Sequence, residues 1–299
     1  MKQVGFFILV CFLCMGILWI PYGKESGGEE VPMERGTMGD DAFSLRVLHG
    51  NRVEVMSLHS YLVGVVGAEL PETFPMEAKK AQAVAARTYA LQQARQGKHP
   101  GADICTDSSC CQAWTPQTDS EAEQAVIETD GLVLVYEEAL IEATYFSCSG
   151  GRTEAAAAVW GSDIPYLQAV DSPGEEDAPR FREEIELSVR DFAARLQTLD
   201  SGFMPTGPAP QWFGEIRYTV GNGVETVEIG GVFFRGTELR KLFGLRSTNI
   251  RFSVTEDTVT ISTLGYGHRV GLSQYGQELW HWRDRNLMKF CVTITEMQS

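Results

Sequence analysis

The pattern of apolar and polar positions predicts a hairpin and two helices near the start of the folded region. Apolar and polar residues alternate on both sides of the turn-forming sequence at residues 49–51, which is typical of two strands joined by a tight turn. Apolar residues then recur at helical spacing over residues 61–66, and this helix should stop before Pro71. An alanine-rich stretch between Pro75 and Gly97 predicts a longer helix, because alanine has the highest helix propensity and Pro and Gly mark the two ends.

Later segments continue to mix helices with strands. Helical patterns cover residues 120–130 and 188–199. A strand, an Asn222-Gly223 turn, a second strand and a helix follow over residues 214–244, and residues 251–263 have the pattern of another hairpin. Because these elements show no regular βαβ order, the sequence predicts an α+β fold of mixed helices and antiparallel hairpins.

The first 42 residues differ in composition from the rest. Residues 4–20 carry no charge and end at Pro21, which predicts one transmembrane helix and makes residues 1–22 a membrane anchor. A cleaved signal peptide is the alternative, although no small-residue cleavage site follows. Residues 23–42 are rich in Gly, Glu and Asp and predict a flexible stalk. We therefore expect a single-pass protein of the cell membrane, whose domain at residues 43–299 lies outside the cytoplasm.

The charge balance limits the class of partner. The chain has 299 residues, a formal net charge of −15 and 22% charged residues. Such a net charge repels phosphate backbones, so nucleic acid is not an expected partner.

Glu69 is a candidate general acid. It lies at the end of the first predicted helix, among apolar neighbours that include Val65 and Val66. Partial removal of water from a carboxyl group raises its pKa, and a raised pKa suits proton donation near neutral pH. On spacing alone an ordinary surface glutamate is the more common case, since that is the usual environment of this residue.

One short segment concentrates potential metal ligands. His99, Cys105, Cys110 and Cys111 fall within thirteen residues of a chain that has seven cysteines. Four such ligands at short spacing suit structural zinc. Disulfides are also compatible with an extracytoplasmic protein, although adjacent cysteines rarely pair with each other. The spacing leaves a metal site, a disulfide and neither of these as open alternatives.

Four stretches together resemble the stage II sporulation protein D family. They are YLVGVVGAELPETFPMEAKKAQAVAARTYAL (61–91), the His/Cys segment ending at Gln112, FSCSGGRTEAAAAVWGSDIPYLQAVDSP (146–173) and GYGHRVGLSQYGQ (265–277). They occur in the family's order and, with their spacers, span residues 44–277. The resemblance implies a domain built around a substrate groove.

The family's activity is that of a lytic transglycosylase acting on peptidoglycan during engulfment of the forespore in sporulation. Its catalytic acid is the Glu of an E-x-P motif, which is Glu69 here. Its substrate is glycan strands already stripped of stem peptides by a partner amidase. The resemblance thus implies two partners, this amidase and a membrane partner of the engulfment complex. A lytic transglycosylase uses one carboxyl group, because the 6-hydroxyl of the sugar closes a 1,6-anhydro ring and no water is consumed. Two other functions remain open, a non-enzymatic glycan-binding activator of an amidase and a zinc-dependent hydrolase.

The matched motifs also imply residues that bind the glycan. Arg87 and Tyr89 belong to the family's A-R-T-Y, and either groove contact or a buried structural pair is open for them. The remaining implied substrate-binding residues are Ser147, Ser149, Gly150, Gly151, Tyr166, His268, Ser273 and Gln274. Within the last two motifs, two positions depart from the family: Cys148 replaces a Thr, and Arg269 replaces a Gly that could adopt a positive φ.

The resemblance implies structural zinc in the His/Cys segment. Family members bind zinc there, and Cys110 replaces a common His. The ligands would be His99, Cys105, Cys110 and Cys111, and a site closed by four protein ligands has no open position for chemistry. We expect this zinc to hold the loop after the long helix beside Glu69, which argues against the zinc-dependent hydrolase.

The tail from about residue 279 departs from the family pattern. Codons can be chosen for Trp280–Ser299 that read MALAGQEPDEILCHYYRDA when shifted by one base, and this resembles the family's ending. We interpret the tail as the product of a frame change near Leu279, which a clean genomic sequence would test.

Overall fold

A computed structural model gives the fold and describes residues 39–117, 120–280 and 293–296, with no side-chain detail for 278–280 and 293–296. The helices are α1 Leu58–Glu69, α2 Met76–Gln96, α3 Ser120–Glu128, α4 Ala156–Trp160, α5 Val189–Leu196, α6 Gly236–Phe243 and α7 Gln274–Trp280. The strands are β1 Ser44–His49, β2 Arg52–Ser57, β3 Ile104–Cys105, β4 Leu132–Tyr136, β5 Ala139–Leu140, β6 Tyr145–Phe146, β7 Gly151–Arg152, β8 Asp171–Ser172, β9 Arg182–Ser188, β10 Phe213–Tyr218, β11 Val224–Ile229, β12 Val232–Arg235, β13 Ile250–Val254, β14 Thr258–Leu264, β15 Leu272–Ser273 and β16 Thr293–Glu296.

The first two helices begin and end where the sequence predicts. The Ser57 hydroxyl accepts a hydrogen bond from the backbone N–H of Ser60 and caps α1. This helix ends at Glu69, because Leu70 before Pro71 is extended, as residues before proline usually are. Pro75 precedes α2, and Gly97 ends it with a left-handed φ of 64°.

A first hydrophobic core surrounds these two helices. We call it the helical core; it buries Tyr61, Leu62 and Val65 of α1 against Ala83, Ala86 and Ala90 of α2, together with residues from β1, β3, α3 and β4. Alanines on α2 let the neighbouring helices approach closely because their side chains are short. The helical core fixes the direction in which the end of α1 points.

A second hydrophobic core lies under two antiparallel sheets. We call it the sheet core; strands β10-β11-β12 and β13-β14-β9 form the sheets, and α5 and α6 pack on them. The predicted hairpins at residues 49–51, at Asn222-Gly223 and over 251–263 are all present as antiparallel pairs. The α+β prediction is confirmed.

Short strand pairs close the chain around the site. Strands β6 and β15 pair in parallel, with Tyr145 opposite Leu272 and Phe146 opposite Ser273. The backbone of Cys148 also forms an isolated antiparallel β-bridge with that of Tyr266. Two motifs that lie more than a hundred residues apart in the sequence are therefore adjacent in the structure.

Arg269 connects the same motifs to the sheet core. Its buried guanidinium donates to the Ser149 carbonyl at 2.6 Å and lies 3.3 Å from the Glu154 carboxylate, which in turn accepts from the Gly223 N–H at 2.9 Å. We expected the loss of glycine here to remove a positive φ, but Arg269 itself has a φ of 66°. Its buried hydrogen bonds offset the cost of that backbone conformation.

The folded region begins before the predicted boundary at residue 43. Asp40–Ala42 form a 3-10 helix, and Asp40 is 1% exposed, so the last residues of the predicted stalk belong to the domain. The rest of the stalk and the predicted anchor lie outside the described residues. No helix within the described ranges has the length and apolar character needed to cross a membrane.

The end of the chain is described only in part. Strand β16 pairs with β4 in antiparallel register, Thr293 opposite Val135. Residues 281–292 and 297–299 lie outside the described part, so the frame-change interpretation stays a prediction.

Candidate active site

Glu69 lies in a cleft of about 650 Å³. The end of α1 supplies this residue, and the two motifs joined by β6 and β15 supply the opposite side. The cleft is lined by Glu69, Tyr89, Ser108, Ser109, Cys110, Cys111, Glu142, Thr144, Tyr145, Phe146, Ser147, Trp160, Arg240, Tyr266, Gly267, His268 and Gln274. The cleft thus combines Glu69 with several of the residues that the sequence motifs predicted.

Three hydrogen bonds hold the Glu69 carboxylate. The backbone N–H of Ala113 donates to Oε1 at 2.8 Å, the Tyr145 hydroxyl donates to Oε1 at 3.4 Å, and the Gln274 amide donates to Oε2 at 3.1 Å. Burial raises the pKa of Glu69, and the three donors lower it; burial is the larger effect, so the pKa lies above its usual value. A fixed carboxyl group with a raised pKa is suited to donate a proton.

The loop that supplies Ala113 is fixed by a buried glutamine. Gln112 accepts a hydrogen bond from the Tyr61 hydroxyl at 3.1 Å and donates to the Tyr145 hydroxyl at 2.9 Å. Gly64 also allows this loop to approach α1, since a Cβ there would lie 2.2 Å from the Trp114 indole nitrogen. Neither Gln112 nor Tyr145 was predicted from the sequence to have a role in the site, although Gln112 closes the His/Cys motif.

Glu175 fixes the opposite side of the site. This carboxylate is 2% exposed and accepts hydrogen bonds from the Ser149 N–H, the Ser172 hydroxyl and, at 2.8 Å, the Ser273 hydroxyl. The Ser273 hydroxyl also accepts from the Gly276 N–H at 3.2 Å, at the start of the helix that begins with Gln274. Glu175 therefore positions the residue that donates to Glu69, and the sequence offered no signal for it beyond a run of three acidic residues after Pro173-Gly174.

Two serines predicted to bind substrate are instead part of this support. Ser149 is fully buried and Ser273 is 6% exposed, and neither lines the cleft. The space beside Gly150 is filled by the protein itself, because a Cβ there would lie 2.8 Å from the backbone of Leu264. Gly151 has open space around its Cα, and Ser147 lines the cleft. Of this motif, Ser147 is the serine that lines the cleft.

Arg87 is a structural residue and not a groove contact. Its guanidinium is fully buried and donates two hydrogen bonds to Asp40, at 2.7 and 2.6 Å, and one to the Leu132 carbonyl at 3.1 Å. Arg87 does not line the cleft, and this burial agrees with the structural alternative. Tyr89, two residues later, lines the cleft as predicted for a groove residue.

Tyr166 supports the wall of the cleft from behind. Its hydroxyl accepts a hydrogen bond from the Glu142 N–H at 3.2 Å, and its ring lies 5.3 Å from that of Tyr136. Glu142 lines the cleft while Tyr166 does not. The predicted groove contact of Tyr166 is therefore indirect in this structure.

Aromatic rings form one side of the cleft. The His268 ring lies 5.3 Å from Trp160 and 5.7 Å from Phe146, and Trp160 is 41% exposed. Burial, and then the positive charge of Arg240, lower the pKa of His268 to about 4, so this histidine is neutral at neutral pH. Its Nδ1 accepts from the Val270 N–H at 3.1 Å, which leaves the proton of the neutral ring on Nε2. Of these rings Trp160 has the exposed face, which suits stacking against a sugar ring.

The four predicted metal ligands converge beside the cleft. One donor atom from each of His99, Cys105, Cys110 and Cys111 lies within 4.8 Å of the others, and His99 Nε2 is 3.2 Å from Cys111 Sγ. Tetrahedral zinc places its ligand atoms about 3.6–3.8 Å apart, so the set fits zinc after small adjustments. The cysteines of the described region are free thiols, not disulfides. Because Cys110 and Cys111 also line the cleft, a metal here would hold the wall that carries Ala113.

Comparison with known proteins gives a consistent set of relatives. A model of the Stage II sporulation protein family matches residues 49–136. Stage II sporulation protein D of Bacillus subtilis (strain 168) is 32% identical over 92% of this chain and 89% of the relative. The protein of the same description from Bacillus amyloliquefaciens is 35% identical over 75% of this chain and 68% of the relative. An amidase enhancer of Bacillus subtilis (strain 168) is 28% identical over 72% of this chain and 36% of the relative.

Proposed function

The chain belongs to the stage II sporulation protein D family, and on that premise we propose that it is a lytic transglycosylase of peptidoglycan. The substrate would be glycan strands from which stem peptides have been removed, and the products would end in 1,6-anhydro sugars. The observation that carries the proposal is the environment of Glu69, a carboxyl group with a raised pKa that is held by three hydrogen bonds in a cleft.

Glu69 would act twice in this reaction. It first donates its proton to the glycosidic oxygen, and the bond to the anomeric carbon breaks. The 6-hydroxyl of the same sugar then forms a bond to that carbon, and the ionised Glu69 accepts the hydroxyl proton. The carboxyl group returns to its protonated form, so no second acid and no water are required.

The other cleft residues bind and orient the sugar. The exposed face of Trp160, which lies 5.3 Å from the His268 ring, offers a stacking surface. Gln274 and Tyr145 hold Glu69 in place, and they stabilise its ionised form after the first proton transfer. Zinc bound by the His/Cys cluster would supply structural support to this wall and no chemical step. The zinc ion, the amidase and membrane partners and the location at the cell membrane remain predictions.

Glu69→Gln tests the proposal. Glutamine keeps the shape and can still accept from Ala113, but it cannot deliver a proton, so cleavage should fall by about 10²–10⁴-fold while glycan binding is retained. The assay is digestion of purified peptide-stripped strands, with mass spectrometry of the 1,6-anhydro ends. Glu72→Gln is the matched control, because Glu72 is an exposed carboxylate three residues away and its loss should leave cleavage unchanged. Full cleavage by Glu69→Gln would remove Glu69 from the mechanism.

A non-enzymatic activator of an amidase is the second candidate. The relative described as an amidase enhancer favours it. An activator needs a glycan-binding cleft but no proton donor, so its effect on an amidase would survive in Glu69→Gln. A wild-type protein that releases no anhydro ends but accelerates an amidase would support this candidate over the enzyme.

A further inference from the structure

Arg240 places a guanidinium in the cleft without a carboxylate partner. It lies on α6, is half-buried and lines the cleft. The hydrogen bond found for its side chain within the described residues runs from Nε to the Leu245 carbonyl at 3.3 Å. By contrast, Arg87 is paired with Asp40, and Arg269 is paired with Glu154.

This arrangement is costly unless an anion binds. Burial lowers the pKa of Arg240, because removing water disfavours the charged form. The same charge helps to keep His268 neutral. A chain with a net charge of −15 has many carboxylates, yet in the described region none forms an ion pair with this arginine. The Nη atoms of Arg240 are therefore free to bind an anionic ligand.

The other charged groups lining the cleft have the opposite sign. Glu69 and Glu142 are carboxyl groups, and His268 is neutral. Among the described residues that line the cleft, Arg240 is the only lysine or arginine. An anion on a bound glycan thus has one favourable position, and a guanidinium can hold a carboxylate there with two parallel hydrogen bonds.

We propose that Arg240 binds a carboxylate carried by the glycan, namely the one that removal of a stem peptide leaves on the sugar's lactyl ether. This inference rests on the proposed function. Hydrolysis of the amide bond that joins peptide to sugar releases the peptide amine and turns a neutral amide into a carboxylate. Arg240 would recognise that change and would select stripped strands over peptide-bearing ones.

The test compares binding to three forms of glycan in the Glu69→Gln background, where no cleavage is expected. The first is fully peptide-stripped strands, the second is the same strands after conversion of their carboxylates to methylamides, and the third is strands that keep their stem peptides. With Arg240 intact, stripped strands should bind about tenfold more tightly than either other form, as expected for a charge-assisted hydrogen-bonded pair. Peptide-bearing strands carry carboxylates on the peptide but none on the lactyl ether, so they show whether Arg240 binds the sugar carboxylate or a peptide carboxylate.

Arg240→Gln should bring the ratio of the affinities for stripped and methylamide strands close to one. Arg251→Gln is the matched control: Arg251 is an exposed arginine of the sheet core's β13 that also donates to a backbone carbonyl, at 2.8 Å, and it does not line the cleft. Its loss changes the net charge equally and should leave the ratio intact.

Equal binding of stripped and methylamide strands with Arg240 intact, or a ratio that survives Arg240→Gln, would overturn the assignment. If Arg240→Gln does not fold, Arg240→Lys takes its place as the test variant, because it keeps the charge without the two parallel donors. Arg240→Lys should lower the affinity ratio severalfold, and an unchanged ratio would overturn the assignment. Wild-type protein that releases no anhydro ends would contradict the proposed function alone, since these binding ratios do not depend on cleavage.

Discussion

The buried pair of Asp40 and Arg87 should contribute strongly to stability. Asp40→Asn removes the charge that faces the Arg87 guanidinium, where Asp40 is 1% exposed and Arg87 is fully buried. Both hydrogen bonds of the pair are short, 2.7 and 2.6 Å, and because both groups are buried, little water screens the charges. Leaving one charge of such a pair without a partner typically costs about 3–5 kcal/mol. Asparagine still offers one acceptor, so we expect the free energy of unfolding to fall by about 3 kcal/mol.

Urea denaturation followed by circular dichroism measures this change, with midpoint and slope compared between variants. Asp41→Asn is the matched control, because Asp41 is the exposed neighbour and its loss changes the net charge equally. The double variant Asp40→Asn with Arg87→Met should lose less stability than the sum of the two single variants, since it leaves neither charge alone in the interior. At temperatures where Asp40→Asn is folded, its binding of peptide-stripped glycan should equal that of wild type.

A stability of Asp40→Asn equal to that of Asp41→Asn would refute this reasoning. So would weaker glycan binding by folded Arg87→Met at unchanged stability, because that result is what a groove contact of Arg87 predicts.

The remaining predictions concern the site itself. Gln274→Leu removes a donor that lowers the pKa of Glu69, so the pKa of Glu69 should rise further. Because the acid must be protonated to act, the decline of the cleavage rate with rising pH should move to higher pH. An unshifted pH profile would contradict the role of this hydrogen bond. Glu175→Gln puts an amide group against the donors of Ser149, Ser172 and Ser273 and should lower the melting temperature. If Gln274 moves as a result, the cleavage rate should also fall, by about 10-fold or more. A fully active variant of lower stability would limit Glu175 to a structural role. Removal of metal with a chelator should lower the melting temperature and release about one equivalent of zinc per chain, measured by elemental analysis. Protein purified without chelator that holds no zinc would rule the metal site out.

The elements with strong local signals could be predicted from the sequence. Helix α2 ends at Gly97 because glycine adopts the left-handed conformation there at low cost, and the Asn222-Gly223 turn forms its hairpin for a similar reason. The side chains of the His/Cys cluster converge within a segment of thirteen residues, so their short spacing was enough to predict a shared site. Glu69 was identified by its motif and its apolar neighbours, both of which are local.

The sequence could not show which distant groups meet in the interior. Gln274, which holds Glu69, lies 205 residues away from it in the chain, and Glu175 showed no pattern of its own. The apolar periodicity indicates which face of an element is buried, but it does not indicate the partner of a buried charge. Arg87 and Arg240 make this clear: both are arginines on helices, yet packing of distant segments buries the first against Asp40 and leaves the second facing the cleft.

By itself, then, the sequence determined the order of helices and hairpins, the convergence of the His/Cys cluster and the choice of Glu69 as the candidate acid, because turn residues, helix ends and motif spacing act over a few neighbouring positions. The tertiary structure alone decided which polar residues support the fold and which face the cleft. A buried polar group must be matched by a partner, and for Glu69, Arg87 and Ser273 that partner comes from a segment brought near by packing of the cores.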